Sequence, residues 1–262
     1  MELTKILLLS LYLYLFLIQL ELSFCAKHTK EEWKSRSIYQ IVTDRFAKEE
    51  DDSTTKCNDL SNYCGGTFNG NKKNLDYIAG MGFNAIWISP PLNNKEGSYH
   101  GYHNIDLNSI NENFGTERDL INLIKECHQK DIWVILDAVP NHMAGDVNIS
   151  TFIPFNKDEH YHEDFGSIEN QNQEQKENCR IWGMPDLKQE NTYVKTTLID
   201  WLKKMIKDYD FDGVRFTDVA NVPKWFWGHF TKAANTYTLG IISSNNATYI
   251  GIPRLLHYSK IY

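Results

Sequence analysis

The stretch LDYIAGMGFNAIWISP, residues 75–90, contains the pattern from which the fold is predicted. Residues 75–81 space their apolar side chains three and four apart, which is typical of a helix, and residues 85–89 form a short apolar run typical of a buried strand. Similar runs predict strands at residues 37–42, 132–138, 213–219 and 238–242, and helices at residues 117–130 and 193–209. Alternating strands and helices imply a parallel sheet, in a doubly wound fold or a (β/α) barrel. No glycine-rich phosphate loop follows any strand, which favours the barrel.

The composition is that of a folded, acidic protein. The 262 residues are 42% hydrophobic and 13% aromatic, and 34 acidic side chains against 27 basic ones give a formal net charge of -7. The apolar content is ample for a core and argues against a disordered chain. Because neutralising phosphates requires a basic face, the acidic balance argues against a nucleic-acid partner.

The first 25 residues have the pattern of a secretory signal peptide. One cation, Lys5, precedes an apolar run over residues 6–20, and the small residues Ser23 and Cys25 fit positions -3 and -1 of a cleavage site. A transmembrane anchor is the competing interpretation, but the run is shorter than the roughly 20 residues that span a bilayer. We therefore expect a secreted chain that begins near Ala26 and has no membrane span once the signal is removed.

The remaining cysteines fit an oxidising compartment. Cys57 and Cys64 enclose the short polar loop CNDLSNYC, in which a disulfide closes easily. Cys127 lies in a helical pattern, where a small buried apolar residue is expected. Whether Cys179 pairs stays open.

A long irregular segment interrupts the alternation of strands and helices. Residues 141–187 are polar and include the tract NQNQEQKEN at 170–178, and connections of this length tend to be functional or to form small inserted domains. We therefore divide the chain after the signal into a first barrel part (26–140), an inserted domain (141–187) and a second, incomplete barrel part (188–262).

Several motifs resemble, in order and spacing, those of the secreted α-amylases, most closely the fungal and yeast type. They are SIYQIVTDRFA, YCGGTFNG, LDYIAGMGFNAIWISP, YHGYHNIDLNSINENFGT, VILDAVPNHM, MPDL and DGVRFTDVANV. The resemblance implies an α/β fold of the TIM-type (β/α)8 barrel with a small domain inserted after strand 3. It also implies Ca2+ at the join, and α-1,4-glucans such as starch, glycogen and maltooligosaccharides as substrates of endo-hydrolysis with retention. About five strands are predicted where the barrel has eight, and GIPRLLHYSKIY at the end resembles the helix after the fifth strand.

The catalytic positions depart from the family pattern. In the segment GVRFTD, residues 213–218, the family's nucleophile position holds Thr217 and the aspartate is displaced by one residue to Asp218. Because side chains alternate along a strand, we expect Asp218 to point away from Arg215 and the sugar unless a bulge re-aims it. The acid/base position holds Ile241, which cannot transfer a proton.

These substitutions predict that the chain is inactive or nearly so. Three alternatives stay open: an active α-amylase that uses Asp218, a secreted glucan-binding protein without catalysis, and a gene-model fragment with no stable fold. The resemblance further implies six substrate-binding residues, Tyr99, His100, Tyr102, Asp137, His142 and Arg215. It implies calcium ligands at Asn141, Glu177, Asp186 and the main-chain carbonyl of Asn221. His103 replaces an aromatic residue of the family, and Ala220 with Asn221 replaces a Lys-His pair.

Overall fold

The computed structural model describes residues 27–50, 57–163, 172–242 and 257–259. A parallel sheet contains six strands, which follow one another in space in the order of the chain. They are β1 (Ile38–Ile41), β2 (Ala85–Ile88), β5 (Trp133–Ala138), β6 (Gly213–Phe216), β7 (Tyr237–Ile241) and β8 (His257–Ser259). This sequential order is that of a (β/α) barrel and differs from the reversing order of a doubly wound sheet. Closure of the barrel by further strands stays a prediction.

Two further strands and eight α-helices of the described residues lie outside this sheet. The strands β3 (Leu92–Asn94) and β4 (Asn104–Ile110) pair antiparallel after β2. The helices are α1 (Lys30–Trp33), α2 (Thr43–Phe46), α3 (Phe68–Lys73), α4 (Leu75–Gly80), α5 (Glu117–Gln129), α6 (Gln173–Asn178), α7 (Thr192–Tyr209) and α8 (Lys224–Ala234). The three predicted helices correspond to α4, α5 and α7.

The sheet is buried on both faces, which explains the apolar runs that predicted its strands. On one face, residues such as Ile86, Val134 and Phe216 pack with the helices in the main core. On the opposite face, Ala85 and Ile135 form a second cluster with tryptophans at 33, 87 and 133. Because successive side chains of a strand point to opposite faces, β1, β2 and β5 each contribute to both clusters.

Two sequence predictions are wrong, one about where a strand ends and one about the last segment of the chain. The strand predicted over residues 213–219 ends at Phe216, and Asp218 adopts a left-handed conformation with φ 52° and ψ 37°. A residue with positive φ cannot continue a strand, so the alternation of side chains stops there. The tail GIPRLLHYSKIY, predicted as a helix, includes the strand β8, which pairs in parallel with β7. The sheet thus has a sixth strand where about five were expected.

The predicted insertion is joined at its base by backbone hydrogen bonds. Leu187 N–H donates to the carbonyl of Asn141 at 2.8 Å, and Met143 N–H donates to that of Pro185 at 3.1 Å. The segment also contacts β4, where Ile153 N–H donates to Ile105 at 3.0 Å. These contacts hold the two ends of residues 141–187 together beside the carboxyl end of β5.

Residues 27–33, which we call the N-terminal clamp, dock at the opposite end of the sheet. Lys27 Nζ lies 2.8 Å and His28 Nε2 lies 3.2 Å from the same carboxylate oxygen of Asp212, whose side chain is fully buried. The ring of His28 stacks on Trp133 with centroids 3.6 Å apart. The clamp therefore covers the amino ends of β5 and β6.

The cysteines follow the sequence prediction where the structure describes them. Cys57 and Cys64 form a disulfide, and Cys127 and Cys179 are buried. In the described part of the chain, no helix is long and apolar enough to cross a membrane. The predicted signal peptide, residues 1–25, lies outside the described residues.

Candidate active site

A buried polar network centred on Asp137 lies at the carboxyl ends of the parallel strands. Its Oδ2 atom accepts hydrogen bonds from the Tyr102 hydroxyl at 2.7 Å and from Trp87 Nε1 at 3.0 Å. Arg215 Nη1 donates to Oδ1 at 2.8 Å. The residues come from β2, β5, β6 and the loop before β4, so adjacent strand ends and one loop build the network.

Asp137 and Arg215 each oppose the effect of burial on the pKa of the other. Burial raises the pKa of the Asp137 carboxyl group, and the guanidinium of Arg215 opposes that rise. Burial alone would lower the pKa of Arg215, but the facing charge of Asp137 outweighs it and raises the pKa. Burial and the Asp137 charge also raise the pKa of Tyr102, so its hydroxyl stays protonated and donates to Asp137.

A cavity of about 400 Å³ opens in front of this network. It is lined by His100, Tyr102, His103, His142, Trp182, Met184, Thr217 and Asp218. The open faces of aromatic rings suit pyranose rings, and imidazole nitrogens can hydrogen-bond hydroxyl groups. Asp137 and Arg215 lie behind this lining and support Tyr102, and Tyr99 lies beside His100 with ring centroids 5.4 Å apart.

Burial disfavours the protonated form of two histidines of the cavity. Burial lowers the pKa of His103 to about 4, and the neighbouring His100 and His142 add to that shift. Burial also lowers the pKa of His100. His103 Nδ1 lies 2.8 Å from the Ser98 hydroxyl, which fixes the ring. Neutral imidazoles can both donate and accept, as recognition of sugar hydroxyls requires.

The structure corrects the expected orientation of Asp218. Its side chain does not point away from the cavity: Oδ2 lies 3.2 Å from His142 Nε2, and Asp218 is part of the cavity lining. The reason is the early end of β6 and the left-handed backbone at Asp218, because the alternation rule holds only within a strand. Thr217 stays on the face of Arg215, and its hydroxyl contacts the guanidinium.

Ile241 lies at the end of β7 and is partly buried. It packs against the cluster that includes Trp33, Ala85 and Ile135 on the inner face of the sheet. Its environment is apolar, and its side chain has no group that can transfer a proton.

The predicted calcium ligands lie where the inserted segment meets the strand ends. The side-chain amide of Asn141 lies 3.2 Å from Asp186 Oδ1 and 2.8 Å from the carbonyl oxygen of Asn221. If the nitrogen of the Asn141 amide faces these two oxygens, it donates a hydrogen bond to each. If the amide oxygen faces them instead, three oxygen acceptors meet, and a cation would satisfy all three. The remaining candidate ligand, Glu177, is linked to this region through Gln173. The Nε2 atom of Gln173 donates to the Glu177 carboxylate at 2.7 Å and to the carbonyl of Ala220 at 2.9 Å.

The donor set fits a hard cation such as calcium. Carboxylate, amide and carbonyl oxygens are the ligands that calcium prefers. Burial raises the pKa of Asp186 to about 6, so its charge is costly without a partner, although His162 Nδ1 lies 2.6 Å from it. Among the described residues, no cluster of three or more His, Cys, Asp and Glu side chains is arranged to hold a metal. A site here would therefore depend on the amide and carbonyl oxygens.

Three residues of this region were missed by the sequence analysis. Trp87 donates to Asp137, and its position two residues after Ala85 on the inner face of β2 was the available signal. Trp182, whose relative exposure is 85%, and the buried Met184 contribute to the cavity from the inserted segment. Because the path of that segment is irregular, no periodicity indicated that these two side chains would reach the cavity.

Sequential parallel strands with polar residues gathered at their carboxyl ends are the arrangement of the TIM-barrel class of proteins. A family model described as the catalytic domain of alpha amylase matches residues 40–182. The chain belongs to the α-amylase family.

Similar proteins include Alpha-amylase 2 of Schizosaccharomyces pombe, which is 42% identical over an alignment of 233 residues. The alignment covers 82% of this chain and 40% of that protein. The Alpha-amylase of Saccharomycopsis fibuligera is 36% identical over 95% of this chain and 54% of its own length. The chain thus spans about half or less of these relatives.

Solved structures give the same likeness. An alpha-amylase from Malbranchea cinnamomea superposes with a TM-score of 0.81 at 36% identity, covering 85% of this chain and 50% of that one. The alpha-amylase of Geobacillus thermoleovorans, solved in complex with acarbose, has a TM-score of 0.76 at 39% identity and covers 83% of this chain and 49% of its own.

Proposed function

We propose that this chain is an α-glucan-binding member of the α-amylase family that hydrolyses α-1,4-glucosidic bonds poorly or not at all. One observation carries the proposal: in the part of the chain that the structure describes, Asp218 is the one carboxylate in the cavity lining. Retaining hydrolysis needs two carboxyl groups about 5 to 5.5 Å apart. Asp137 does not supply the second, because three neighbours occupy its oxygens behind the cavity.

The two substituted positions support the same conclusion. Thr217, at the position of the nucleophile, contacts the guanidinium of Arg215, and in the described part of the chain no side chain that could act as a base hydrogen-bonds to its hydroxyl. Ile241, at the position of the proton donor, packs in an apolar cluster. The loss of general acid catalysis alone is typically worth a factor of about 10² to 10⁴.

The binding residues support retention of sugar affinity. Tyr102 offers a ring face to the cavity and is held by Asp137 and Arg215, while His100 and His142 offer ring nitrogens to hydroxyl groups. The substrate class, starch-like α-1,4-glucans, follows from the named activity of the relatives.

Ca2+ and secretion belong to the same proposal. Asn141, Glu177, Asp186 and the carbonyl of Asn221 would hold the ion, which would neutralise Asp186 and tie the inserted segment to the strand ends. The Cys57–Cys64 disulfide supports an oxidising, extracellular location, in agreement with the signal-like first 25 residues.

The test is to measure binding and hydrolysis on one preparation of the protein. We expect calorimetric binding of maltoheptaose without release of reducing sugar from soluble starch. Tyr102→Ala should abolish that binding, while Tyr77→Ala, at an exposed position on α4, should leave it unchanged. Starch hydrolysis at the rates of active relatives would contradict the proposal.

A second candidate, an α-amylase that uses Asp218, is favoured by the direction of this side chain into the cavity. It requires a proton donor other than Ile241. If starch is hydrolysed and Asp218→Asn abolishes the hydrolysis, this candidate replaces the first.

A further inference from the structure

The loop closed by the Cys57–Cys64 disulfide, residues 57–64, lies against the segment 98–103, which we call the cavity wall because it carries His100, Tyr102 and His103. We propose that Arg45 is a positioning residue that couples the disulfide loop to the cavity wall and thereby sets the affinity for glucan. The inference rests on the proposed glucan binding and deepens it.

Arg45 contacts both sides of this junction. Its Nη2 atom donates to the carbonyl oxygens of Leu60 at 2.9 Å and of Asn62 at 2.8 Å. Its guanidinium carbon lies 3.5 Å from the centre of the Tyr99 ring. A planar guanidinium can do both at once, because it donates in its plane and presents its face to an aromatic ring. The loop and the cavity wall are therefore joined through one side chain.

Arg45 is held in turn by its neighbour. Asp44 is buried, and its Oδ2 atom lies 2.7 Å from Arg45 Nε. The Asp44 carboxylate also accepts the N–H groups of Cys64 at 2.9 Å and Gly65 at 3.1 Å. Consecutive residues of α2 thus bind the middle of the disulfide loop and its end, so the loop cannot shift without breaking charge-assisted hydrogen bonds.

A second connection reaches the cavity itself. The Tyr63 hydroxyl, which accepts from Asn111 Nδ2 at 2.9 Å, donates to the carbonyl of Ser98 at 3.2 Å. The Ser98 side chain contacts the His103 ring at 2.8 Å. The disulfide loop therefore supports both Tyr99 and His103.

His103 reports whether the cavity wall is in place. The titratable groups that act on it are His100, His142, Lys95 and Asp146, and its burial in the wall dominates their effect. If the wall loosens, water reaches the ring and its pKa should rise from about 4 toward the ordinary value of about 6.5.

The experiment compares Arg45→Ala with the unaltered protein in two measurements. Calorimetry with maltoheptaose should show affinity reduced about tenfold, the size expected for losing a desolvated cation–π contact and a hydrogen bond. NMR titration of the His103 ring without sugar should show the raised pKa. Arg45→Lys keeps the charge but loses the planar set of donors. Its affinity for maltoheptaose and the pKa of its His103 should lie between those of Arg45→Ala and the unaltered protein.

Arg36→Ala is the matched control. Arg36 makes the same kinds of contact at the opposite end of the sheet: its guanidinium carbon lies 3.6 Å from the Trp133 ring centre, and Nη1 donates to the carbonyl of Asp131 at 2.7 Å. Its removal should lower stability to a similar degree without changing the titration of His103 or the affinity for maltoheptaose. A merely structural role of Arg45 would make the two variants behave alike.

The outcomes separate this inference from the proposed function. If Arg45→Ala changes neither the His103 titration nor the affinity, the coupling is wrong. If the unaltered protein does not bind maltoheptaose but Arg45→Ala shifts the titration of His103, the coupling holds and the proposed function fails. Should Arg45→Ala not fold, the same readouts on Arg45→Lys and on the double variant Cys57→Ser/Cys64→Ser decide the question.

Discussion

At the scale of single residues, the ion pair of Asp137 and Arg215 has the largest energetic consequence. The Asp137 side chain has no exposed surface, and Arg215 faces it at 2.8 Å. Asp137→Asn keeps the size but removes the charge, which leaves the Arg215 cation buried without its partner. We expect the free energy of unfolding to fall by about 3 to 5 kcal/mol. Urea denaturation followed by circular dichroism measures the change.

Asp131→Asn is the control for this variant. Asp131 also pairs with an arginine, Arg36, at 2.9 Å, but 77% of its side chain is exposed. Exposed ion pairs contribute about 0 to 1 kcal/mol, so this variant should be close to the unaltered protein. Equal losses in the two variants would show that burial of the Asp137 network is not what makes it important.

Sequence motifs predicted which residues meet at the site better than they predicted where one of them points. Tyr102, His142 and Arg215 come from separate motifs that end or follow strands, and the structure brings them together because parallel strands end at one edge. The direction of Asp218 depends on the left-handed backbone of this one residue after β6. Aspartate adopts that conformation more readily than most residues, but only in a minority of cases, so its identity alone does not predict it.

At the scale of elements, the backbone at Gly66 approaches α2 so closely that it leaves no room for a side chain. A Cβ atom at Gly66 would lie 2.2 Å from the carbonyl oxygen of Thr43 and 2.4 Å from the carbonyl carbon of Asp44. Because the obstructing atoms are backbone, they cannot turn aside. Gly66→Ala should therefore lower the free energy of unfolding by about 1 to 3 kcal/mol, measured by urea denaturation.

Gly80, at the end of α4, gives the opposite expectation. Nothing lies within 4 Å of the position that a methyl group would take there, so Gly80→Ala should raise the free energy of unfolding by about 0.4 to 1 kcal/mol through the unfolded state. If Gly66→Ala unfolds at the same urea concentration as the unaltered protein, the prediction for Gly66 is wrong, and α2 and the loop that carries Gly66 can move apart.

The elements that sequence reasoning found are those with a strong sequence pattern. The helices α4, α5 and α7 bury one face, which gives apolar residues three and four apart. The first five parallel strands are buried on both faces, which gives continuous apolar runs. The helix α8 was not predicted, although its buried residues Phe226, Trp227, Phe230 and Ala234 recur at helical spacing. The strand β3 has three residues, too few to show an alternation.

At the scale of the whole molecule, Asp212 links the N-terminal clamp to stability at acid pH. Burial alone would raise its pKa, but hydrogen bonds from His128, Lys27 and the Val134 N–H outweigh burial and lower it. A carboxyl group with a lowered pKa in the folded state contributes stability above its unfolded pKa of about 3.9, and that contribution is lost as the pH falls through the folded value.

We therefore expect the melting temperature to fall steeply below about pH 4 in the unaltered protein. Asp212→Asn should melt at a lower temperature at neutral pH and should show a shallower acid dependence. Differential scanning calorimetry from pH 3 to 7 measures both. Parallel pH profiles of the two proteins would contradict a role of Asp212 in acid stability.

The N-terminal clamp also has a consequence for the order of events during translation. Lys27 meets Asp210, and His28 meets Asp212, across separations of 183 and 184 residues. A ribosome must therefore release nearly the whole described chain before these contacts can form, and contacts between such distant residues form slowly. Until Tyr237 has also been released, the ring of Trp33 lacks its stacking partner, so the nascent chain exposes apolar surface that a chaperone can bind.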